Sequence, residues 1–304
     1  MNEWRPDLEV LEDLARSLIA EQFPEFELRS LRYLGEGWDN IVWLANEEFA
    51  FRFPRREIAV RGVEREIGVL PQLAPHLPVA IPQPRFVGQP SDRFAWPFYG
   101  GPILPGGELP EVGLGEDARR NLAPAIGSFL RTLHSDAVAE AVDFPLDVDP
   151  NARGDMTRRV PKTRAVLDEA EKLGLWTAPP EVAELLDTAE KLPALESSKT
   201  VLHGDLHFRH VLVDDDGTPT GVIDWGDVCR GNRAIDLSLA WGLFEPDTRA
   251  AFFDAYGEVS ADEAVRAQVV ALCLNAVLAV YGHHQEMKDV EREAVTGLGR
   301  ITAS

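Results

Sequence analysis

Cysteine is scarce in this chain of 304 residues, with only Cys229 and Cys273 present. The two are not spaced as a CxxC pair, so the sequence excludes a disulfide framework and a zinc knuckle. Basic residues are also few: 30 Lys and Arg face 51 Asp and Glu, giving a formal charge of -21. A phosphate backbone requires Lys and Arg, so we expect no nucleic-acid partner. The acidic surface favours solubility, and it would also attract a cationic small molecule.

Long hydrophobic runs are missing as well. The most apolar stretch, residues 269–281, is short and contains Asn275, which predicts a buried helix and not a membrane span. The chain opens Met-Asn-Glu-Trp-Arg-Pro, with no basic start followed by an apolar run, so we expect no signal peptide. These absences predict a cytoplasmic protein without a membrane partner.

The first part of the sequence predicts one helix followed by strands. Helical spacing of apolar residues marks the helix at Leu8, Leu11, Leu14 and Leu18. The period then changes and predicts three short strands, over residues 28–34, 41–45 and 49–53, with a tight turn at Gly35-Glu36-Gly37. A helix over residues 58–70 follows, and Pro71 marks its expected end.

A passage rich in Pro and Gly, residues 75–107, is typical of a connector between two lobes. The length of the chain also favours two lobes that share a cleft. Beyond the connector the pattern is mainly helical, with predicted helices over residues 122–133, 182–192 and 261–284.

A different pattern interrupts these helices. An acidic turn, residues 214–217, separates two short apolar strands over residues 211–213 and 221–223, which predicts a hairpin. Asp205 lies on the loop before this hairpin, His210 begins its first strand, and Asp224 ends its second.

These three side chains suit phosphoryl transfer. The reaction needs a base for the hydroxyl proton, a divalent metal on the phosphates and a cation that holds the nucleotide. The hairpin can bring His210 and Asp224 to one metal, with the Asp205 carboxylate free to face an acceptor.

Three linked elements stand in this order along the chain: His203-Gly204-Asp205-Leu206-His207, Ile223-Asp224-Trp225 and Ala234-Ile235-Asp236-Leu237. Together they resemble the catalytic loop and metal-binding segment of the aminoglycoside and macrolide phosphotransferase family, relatives of protein kinases. The resemblance implies a phosphotransferase with an alcohol group as acceptor. It also implies an α+β, protein-kinase-like fold, with a small antiparallel-sheet N-lobe and a larger, mainly helical C-lobe. On this interpretation residues 1–104 bind the nucleotide and include a leading helix and a hinge, whereas residues 105–304 carry the catalytic loop and the acceptor site.

The resemblance also assigns roles to single residues. Asp205 is similar to the catalytic base and Asp224 to the magnesium ligand. Asp236 is similar to the buried carboxylate that holds the catalytic loop, and His203 to a residue that braces it.

Position 210 departs from the commonest pattern of the family, in which Asn is the second metal ligand. Histidine there is similar to the macrolide-modifying branch, and a neutral imidazole can still bind a divalent ion. Because Mg2+ prefers oxygen, we expect a site that also accepts Mn2+. The alternative is that His210 is a hydrogen-bonding spacer and Asp224 holds the metal alone. Phe208-Arg209 also replaces the family's Pro-Gly.

The N-terminal part should bind the nucleoside triphosphate, ATP or GTP. Gly35 and Gly37 resemble the loop that covers the phosphates, where missing side chains let backbone amides approach. Arg52 occupies the place of the strand Lys that grips the phosphates in kinases. We expect its ion-pair partner to be Glu66, with Glu64 as the competitor. Residues 96–104 should meet the purine through their backbone.

The acceptor is a small molecule, expected to be cationic. Asp227, just past the metal ligand, is the leading candidate for binding its ammonium groups, although each carboxylate of this kind is more often a surface charge. Further candidates in the C-terminal part are Asp254, Glu258 and Glu286, and an apolar trough for a macrolide could be lined by Trp241, Phe244, Phe252, Phe253 and Tyr256.

The preferred function is an antibiotic kinase that acts on an aminoglycoside or a macrolide. A metabolic kinase of an amino alcohol or sugar and a nucleotide-binding pseudokinase are the alternatives.

Overall fold

The first lobe is built on an antiparallel sheet. The computed structural model describes residues 6–195 and 198–303. Within them, five strands pair in the order β1-β2-β3-β5-β4. The elements of this lobe are α1 (Glu12–Gln22), β1 (Leu31–Glu36), β2 (Asn40–Ala45), β3 (Phe49–Pro54), α2 (Val60–Leu73), β4 (Phe86–Gly88) and β5 (Phe98–Pro102).

Aromatic side chains fix the register of this sheet. Phe51 and Phe53 alternate with Arg52 on β3, so both rings point to one face and the guanidinium to the other. Phe51 stacks on Phe86 and Phe53 on Phe98, with ring centroids 5.6 and 4.6 Å apart. The phenylalanine face therefore forms the core of this lobe and leaves Arg52 facing the cleft.

Three local predictions were wrong. The first helix begins at Glu12, so Leu8 and Leu11 precede it and are exposed. Pro71 lies inside α2, which continues to Leu73 because the loss of one helical hydrogen bond so close to the end is offset by burial of Leu70 and Leu73. The expected turn at residues 35–37 is displaced, because β1 extends to Glu36 and the chain reverses over residues 37–39.

The second lobe is mainly helical. Its long central helix packs against four others and contributes Val269, Val270, Leu272 and Ala276 to the buried core. The helices of this lobe are α3 (Leu109–Val112), α4 (Glu116–Leu133), α5 (Asp136–Ala141), α6 (Met156–Lys172), α7 (Pro180–Ala189), α8 (Ala234–Leu243), α9 (Pro246–Tyr256), α10 (Ala261–His284) and α11 (Lys288–Thr302). The central helix, α10, packs on α6, α7, α8 and α11. Its observed bounds match the predicted range.

Among the described residues, α10 has the length and composition that a membrane span requires. The helix runs for 24 residues and extends beyond the apolar stretch of residues 269–281 on which the sequence argument rested. Most of its apolar window is buried inside the lobe, as in the core helix of a globular domain.

Short strands position the loops between the two lobes. They are β6 (Gly107–Glu108), β7 (Val201–Leu202), β8 (Val211–Val213), β9 (Pro219–Val222) and β10 (Cys229–Arg230). β8 and β9 form the predicted hairpin, with β6 on its outer edge, and β7 pairs with β10. Residues 203–210 thus connect β7 to β8, and Asp224 follows β9 almost at once. The antiparallel sheet and the helical lobe together form the protein-kinase-like fold that the sequence predicted.

Candidate active site

Asp236 holds the start of the loop between β7 and β8. Its two carboxylate oxygens accept hydrogen bonds from the backbone N–H groups of His203, at 2.8 Å, and Gly204, at 2.9 Å. His134 Nε2 lies 3.1 Å from the same carboxylate. Burial raises the pKa of Asp236, but His134 and these N–H groups outweigh it and hold the pKa below its usual value. The carboxylate therefore stays charged and fixes the loop.

Gly204 is required by the backbone at this point. Its φ is +87°, and a Cβ there would lie 2.2 Å from the carbonyl oxygen of Asp227. Only glycine fits both demands. The loop can therefore approach the segment after Asp224 closely enough to bring Asp205 and Asp227 together.

His203 fixes the backbone of Asp205. Its Nε2 donates to the carbonyl oxygen of Ile223 at 2.9 Å, so Nδ1 is the acceptor and receives the N–H of Asp205 at 3.3 Å. Burial, together with His210, lowers the pKa of His203. The imidazole is therefore neutral, and it braces the loop instead of carrying charge.

Asp224 lies where the two lobes meet. One of its oxygens accepts from Arg52 Nη2 at 2.6 Å, and the other lies 3.3 Å from His210 Nε2. The side chain is 43% exposed to the cleft. The surrounding protein raises the pKa of Asp224, but Arg52 and His210 more than compensate and hold it well below its usual range.

His210 is oriented toward Asp224 by its other nitrogen. Nδ1 donates to the backbone carbonyl of Asp205 at 2.9 Å, so Nε2 is the nitrogen that faces Asp224, and it could ligate a metal once it has lost its proton. Burial lowers the pKa of His210, but Asp224 more than compensates and raises it above its usual value. Asp205, His207 and His210 also each offer a ligand atom within 4.8 Å of the others. His210 belongs both to this group and to the pair with Asp224, so an imidazole nitrogen and a carboxylate oxygen lie where they could hold a divalent cation.

His207 had no role in the sequence interpretation, although it belongs to the motif that drew attention to the loop. Its ring lies against that of His210, with centroids 3.7 Å apart. Burial, followed by the charges of His210 and Arg209, holds the pKa of His207 well below its usual value.

Arg52 joins the sheet to helix α2. Its Nε lies 3.2 Å from Glu66 Oε2, whereas Glu64 points to solvent. Glu66 is fully buried and accepts the backbone N–H of Trp225 at 3.0 Å. Burial raises the pKa of Glu66 to about 7 despite the opposing charge of Arg52. The structure thus places both residues of the predicted pair beside Asp224.

The β1–β2 flap, residues 35–39, covers this cluster from the sheet side. A Cβ added to Gly35 or Gly37 would meet no atom within 4 Å, so both backbones border open space. This leaves room for a phosphate group to approach the backbone amides of the flap.

The tip of the flap reaches the second lobe. The Trp38 ring packs edge-on against Tyr281 of α10, with centroids 5.2 Å apart. Burial raises the pKa of the neighbouring Asp39. The charge of Arg56 opposes this rise, and the charge of Asp224 adds to it. The spacing of residues did not predict the contact between Trp38 and Tyr281.

Asp227 lies beside Asp205 and is held by a segment that sequence reasoning missed. Arg153 Nη2 donates to Asp227 at 2.7 Å and to Asp205 at 2.9 Å. Asn151 donates to the other oxygen of Asp227 at 3.2 Å. Residues 147–155 carry no motif, so their sequence offered no signal for this contact.

The remaining acceptor candidates lie elsewhere. Asp254, Glu258 and Glu286 are exposed, and none of them joins the cluster around Asp205. Four of the five aromatic candidates, all except Phe253, are buried in the core of the second lobe. A trough lined by these rings is therefore not present at the surface of the described chain.

Known proteins resemble this chain over most of its length. A sequence model of the phosphotransferase enzyme family matches residues 30–269. The GDP and kanamycin complex of APH(2″)-IIIa superimposes with a TM-score of 0.69 at 24% identity, over 94% of this chain and 97% of the other. Macrolide 2′-phosphotransferase MphH from Brachybacterium faecium gives a TM-score of 0.64 at 23% identity, over 94% and 98% of the two chains.

A further relative matches only a short segment. The uncharacterized protein YcbJ of Bacillus subtilis (strain 168) is 32% identical over 59 residues, about a fifth of the length of either chain. The solved structures establish the fold, and the family match covers both lobes of that fold and the loops between them. By this match the chain belongs to the phosphotransferase enzyme family.

Proposed function

We propose that this protein is a small-molecule kinase that transfers the γ-phosphate of ATP or GTP to a hydroxyl group of an aminoglycoside or macrolide antibiotic. One observation carries the proposal: Asp205, His210 and Asp224 converge at the cleft, where Arg52 pairs with Asp224. This set contains a base, metal ligands and a cation, which are the groups that phosphoryl transfer needs.

Residues 1–104 would bind the nucleotide and residues 105–304 the acceptor. Gly35 and Gly37 border open space, where phosphates would lie, and Arg52, held by Glu66 and Asp224, would reach them from β3. The backbone between residues 96 and 104 would contact the purine.

A divalent metal fits His210 and Asp224. The donor set combines carboxylate oxygen with imidazole nitrogen, which suits Mg2+ and, better, Mn2+. When bound, the metal would neutralise charge on the phosphates. His203 and Asp236 would act indirectly, by holding the loop between β7 and β8 in place.

Asp205 would accept the proton of the acceptor hydroxyl. As the proton leaves, the hydroxyl oxygen forms a bond to the γ-phosphorus, and the bond from that phosphorus to the bridging oxygen of the nucleoside diphosphate breaks. The products are a phosphate ester and the diphosphate. Arg52 would hold the phosphates in line during this step.

The acceptor would be cationic. Asp205 and Asp227 lie side by side in a chain of formal charge -21, which favours the approach of an amino sugar. Kanamycin, gentamicin and streptomycin appear in complexes of proteins with this fold, and a macrolide phosphotransferase shares it. A cytoplasmic location would give the enzyme access to its nucleotide.

The test is a panel of aminoglycosides and macrolides, incubated with ATP or GTP and either Mg2+ or Mn2+. Mass spectrometry should find one added phosphoryl group on at least one antibiotic, and Asp205→Ala should abolish the product. Choline and simple amino sugars belong in the same panel, because their selective phosphorylation would replace the antibiotic with a metabolic acceptor. Nucleotide binding without product on any acceptor would identify a pseudokinase and overturn the proposal.

A further inference from the structure

Arg153 is the cation nearest to the proposed base. A single nitrogen, Nη2, donates to Asp205 Oδ1 at 2.9 Å and to Asp227 Oδ2 at 2.7 Å. The side chain is only 15% exposed. Among residues 6–195 and 198–303, no other side chain donates a hydrogen bond to the carboxylate of Asp205. One oxygen of the base is therefore held and the other is left for the acceptor hydroxyl.

The backbone around Arg153 is held in place by the side chain of Asp149. The side chain of Asp149 accepts the N–H groups of Arg153 and Gly154, both at 2.8 Å. Ala152 has a φ of +48°, which is uncommon for a residue with a side chain. Such a turn costs free energy unless surrounding contacts impose it. Here the Asp149 carboxylate supplies those contacts.

This segment is also anchored to the strand that follows Asp227. The N–H of Asp149 donates to the carbonyl of Arg230 at 2.8 Å, and the N–H of Arg230 donates to the carbonyl of Asp147 at 2.9 Å. Arg230 belongs to β10, which pairs with β7 immediately before the catalytic loop. Arg153 is thus fixed to the same small sheet that carries Asp205.

We propose that Arg153 is a positioning residue for phosphoryl transfer. It holds one oxygen of Asp205 so that the other faces the acceptor hydroxyl, and Asp227 fixes the guanidinium from its opposite side. The inference rests on the proposed kinase function. It gives Asp227 a role through Arg153, in addition to any contact with the acceptor.

The geometry predicts how substitutions of Arg153 change kcat and KM. Misplacement of a reacting group by about 1 Å can cost about a hundredfold in rate, so Arg153→Ala should lower kcat by roughly 30-fold or more. The KM for nucleotide and acceptor should stay within about threefold, because Arg153 acts on the base and not on bound substrate. The kcat of Arg153→Lys should lie between that of wild type and that of Arg153→Ala, since an ammonium can still donate a hydrogen bond to Asp205.

The decisive experiment is chemical rescue. Wild-type enzyme is first assayed with the antibiotic that it phosphorylates fastest, or by hydrolysis of the nucleotide if water is the only acceptor. Arg153→Ala is then assayed with added guanidinium ion, next to Arg164→Ala, a surface variant of α6 whose side chain pairs with Asp187. Guanidinium should restore about tenfold in kcat to Arg153→Ala and nothing to the control, the scale expected when a lost orientation is partly recovered.

Two results would overturn the inference. The first is a kcat of Arg153→Ala that equals the kcat of wild type. The second is a loss that guanidinium does not rescue and that Arg153→Lys shares in full, together with a lowered melting temperature, because that pattern indicates a structural role. Absence of turnover in the wild type would instead overturn the proposed function, so the two failures are distinguishable.

Discussion

Arg52 Nη2 and Asp224 Oδ1 lie 2.6 Å apart and join the two lobes across the cleft. The same guanidinium lies 3.2 Å from Glu66, whose carboxylate is fully buried. With its amide oxygen turned toward Arg52, Asn40 accepts a further hydrogen bond at 2.9 Å. One side chain therefore neutralises a buried carboxylate and holds the proposed metal ligand.

Removing Arg52 should destabilise the fold. Arg52→Ala leaves Glu66 buried without its cation, which typically costs about 3 kcal/mol or more. In a protein of this size that corresponds to a melting temperature lower by roughly 5 °C. Arg52→Lys should retain most of the stability and part of the nucleotide affinity, because an ammonium pairs with one carboxylate at a time. Arg16→Ala, which removes an exposed pair with Glu12, is the control. Equal melting of Arg52→Ala and wild type would refute the assigned role.

His210→Asn should change the metal preference of the enzyme. An amide oxygen replaces the imidazole nitrogen, and Mg2+ prefers oxygen. We expect kcat/KM with Mg2+ to rise relative to that with Mn2+ by about tenfold, a usual scale for effects at metal ligands. The exposed His284→Asn serves as the matched control. If the ratio does not change, His210 is a spacer and Asp224 holds the metal alone.

The Trp38–Tyr281 contact should couple flap closure to nucleotide binding. An aromatic pair contributes about 1 kcal/mol, so Trp38→Ala and Tyr281→Ala should each weaken the nucleotide by about fivefold. The double variant should lose no more than either single variant, whereas Tyr281→Phe should bind as wild type does. Titration calorimetry with the metal nucleotide measures all four. Additive losses would show that the two rings act independently.

Glu263 should make part of the stability depend on pH. It is the third residue of α10, where it closes a capping box with Ser260 and pairs with Arg233 at 2.6 Å. The hydrogen bond to Arg233, together with those to Ser260, lowers the pKa of Glu263 to about 2 against the effect of burial. A carboxyl with a depressed folded-state pKa stabilises the protein above its unfolded pKa, and this contribution disappears as the pH falls through the folded value.

Glu263→Gln should therefore be less stable than wild type at pH 7, by about 1–2 kcal/mol after allowance for solvent screening. The difference should shrink between about pH 4.3, the unfolded value, and the folded-state pKa. Thermal melts across this range measure it, with the exposed Glu184→Gln as a control. A difference that stays constant down to the lowest pH would contradict the account.

Local patterns predicted much of the fold. The hairpin of β8 and β9 was recognisable because an acidic turn separates two apolar runs, and α10 because its apolar residues continue over many turns. The ends of elements were less predictable. Pro71 is tolerated inside α2 because the residues around it are buried, and burial is a tertiary property that the local sequence does not encode.

The site was predictable only where its residues lie close in sequence. Asp205, His210 and Asp224 belong to one continuous segment, and the family resemblance supplied Arg52 and Glu66. Arg153 lies 52 residues before Asp205, in a segment without a motif, and Trp38 meets Tyr281 from the other end of the chain. Such contacts depend on how the lobes pack, so no pattern of spacing could reveal them.

The most direct test of the central claim is single-turnover transfer by Asp205→Asn. The amide keeps the size of the side chain but cannot accept the hydroxyl proton, so affinity for the metal nucleotide should match that of wild type. Transfer of the γ-phosphate to the acceptor should slow by at least about a hundredfold, the usual scale for a general base. Transfer at the wild-type rate with nucleotide fully bound would contradict the account.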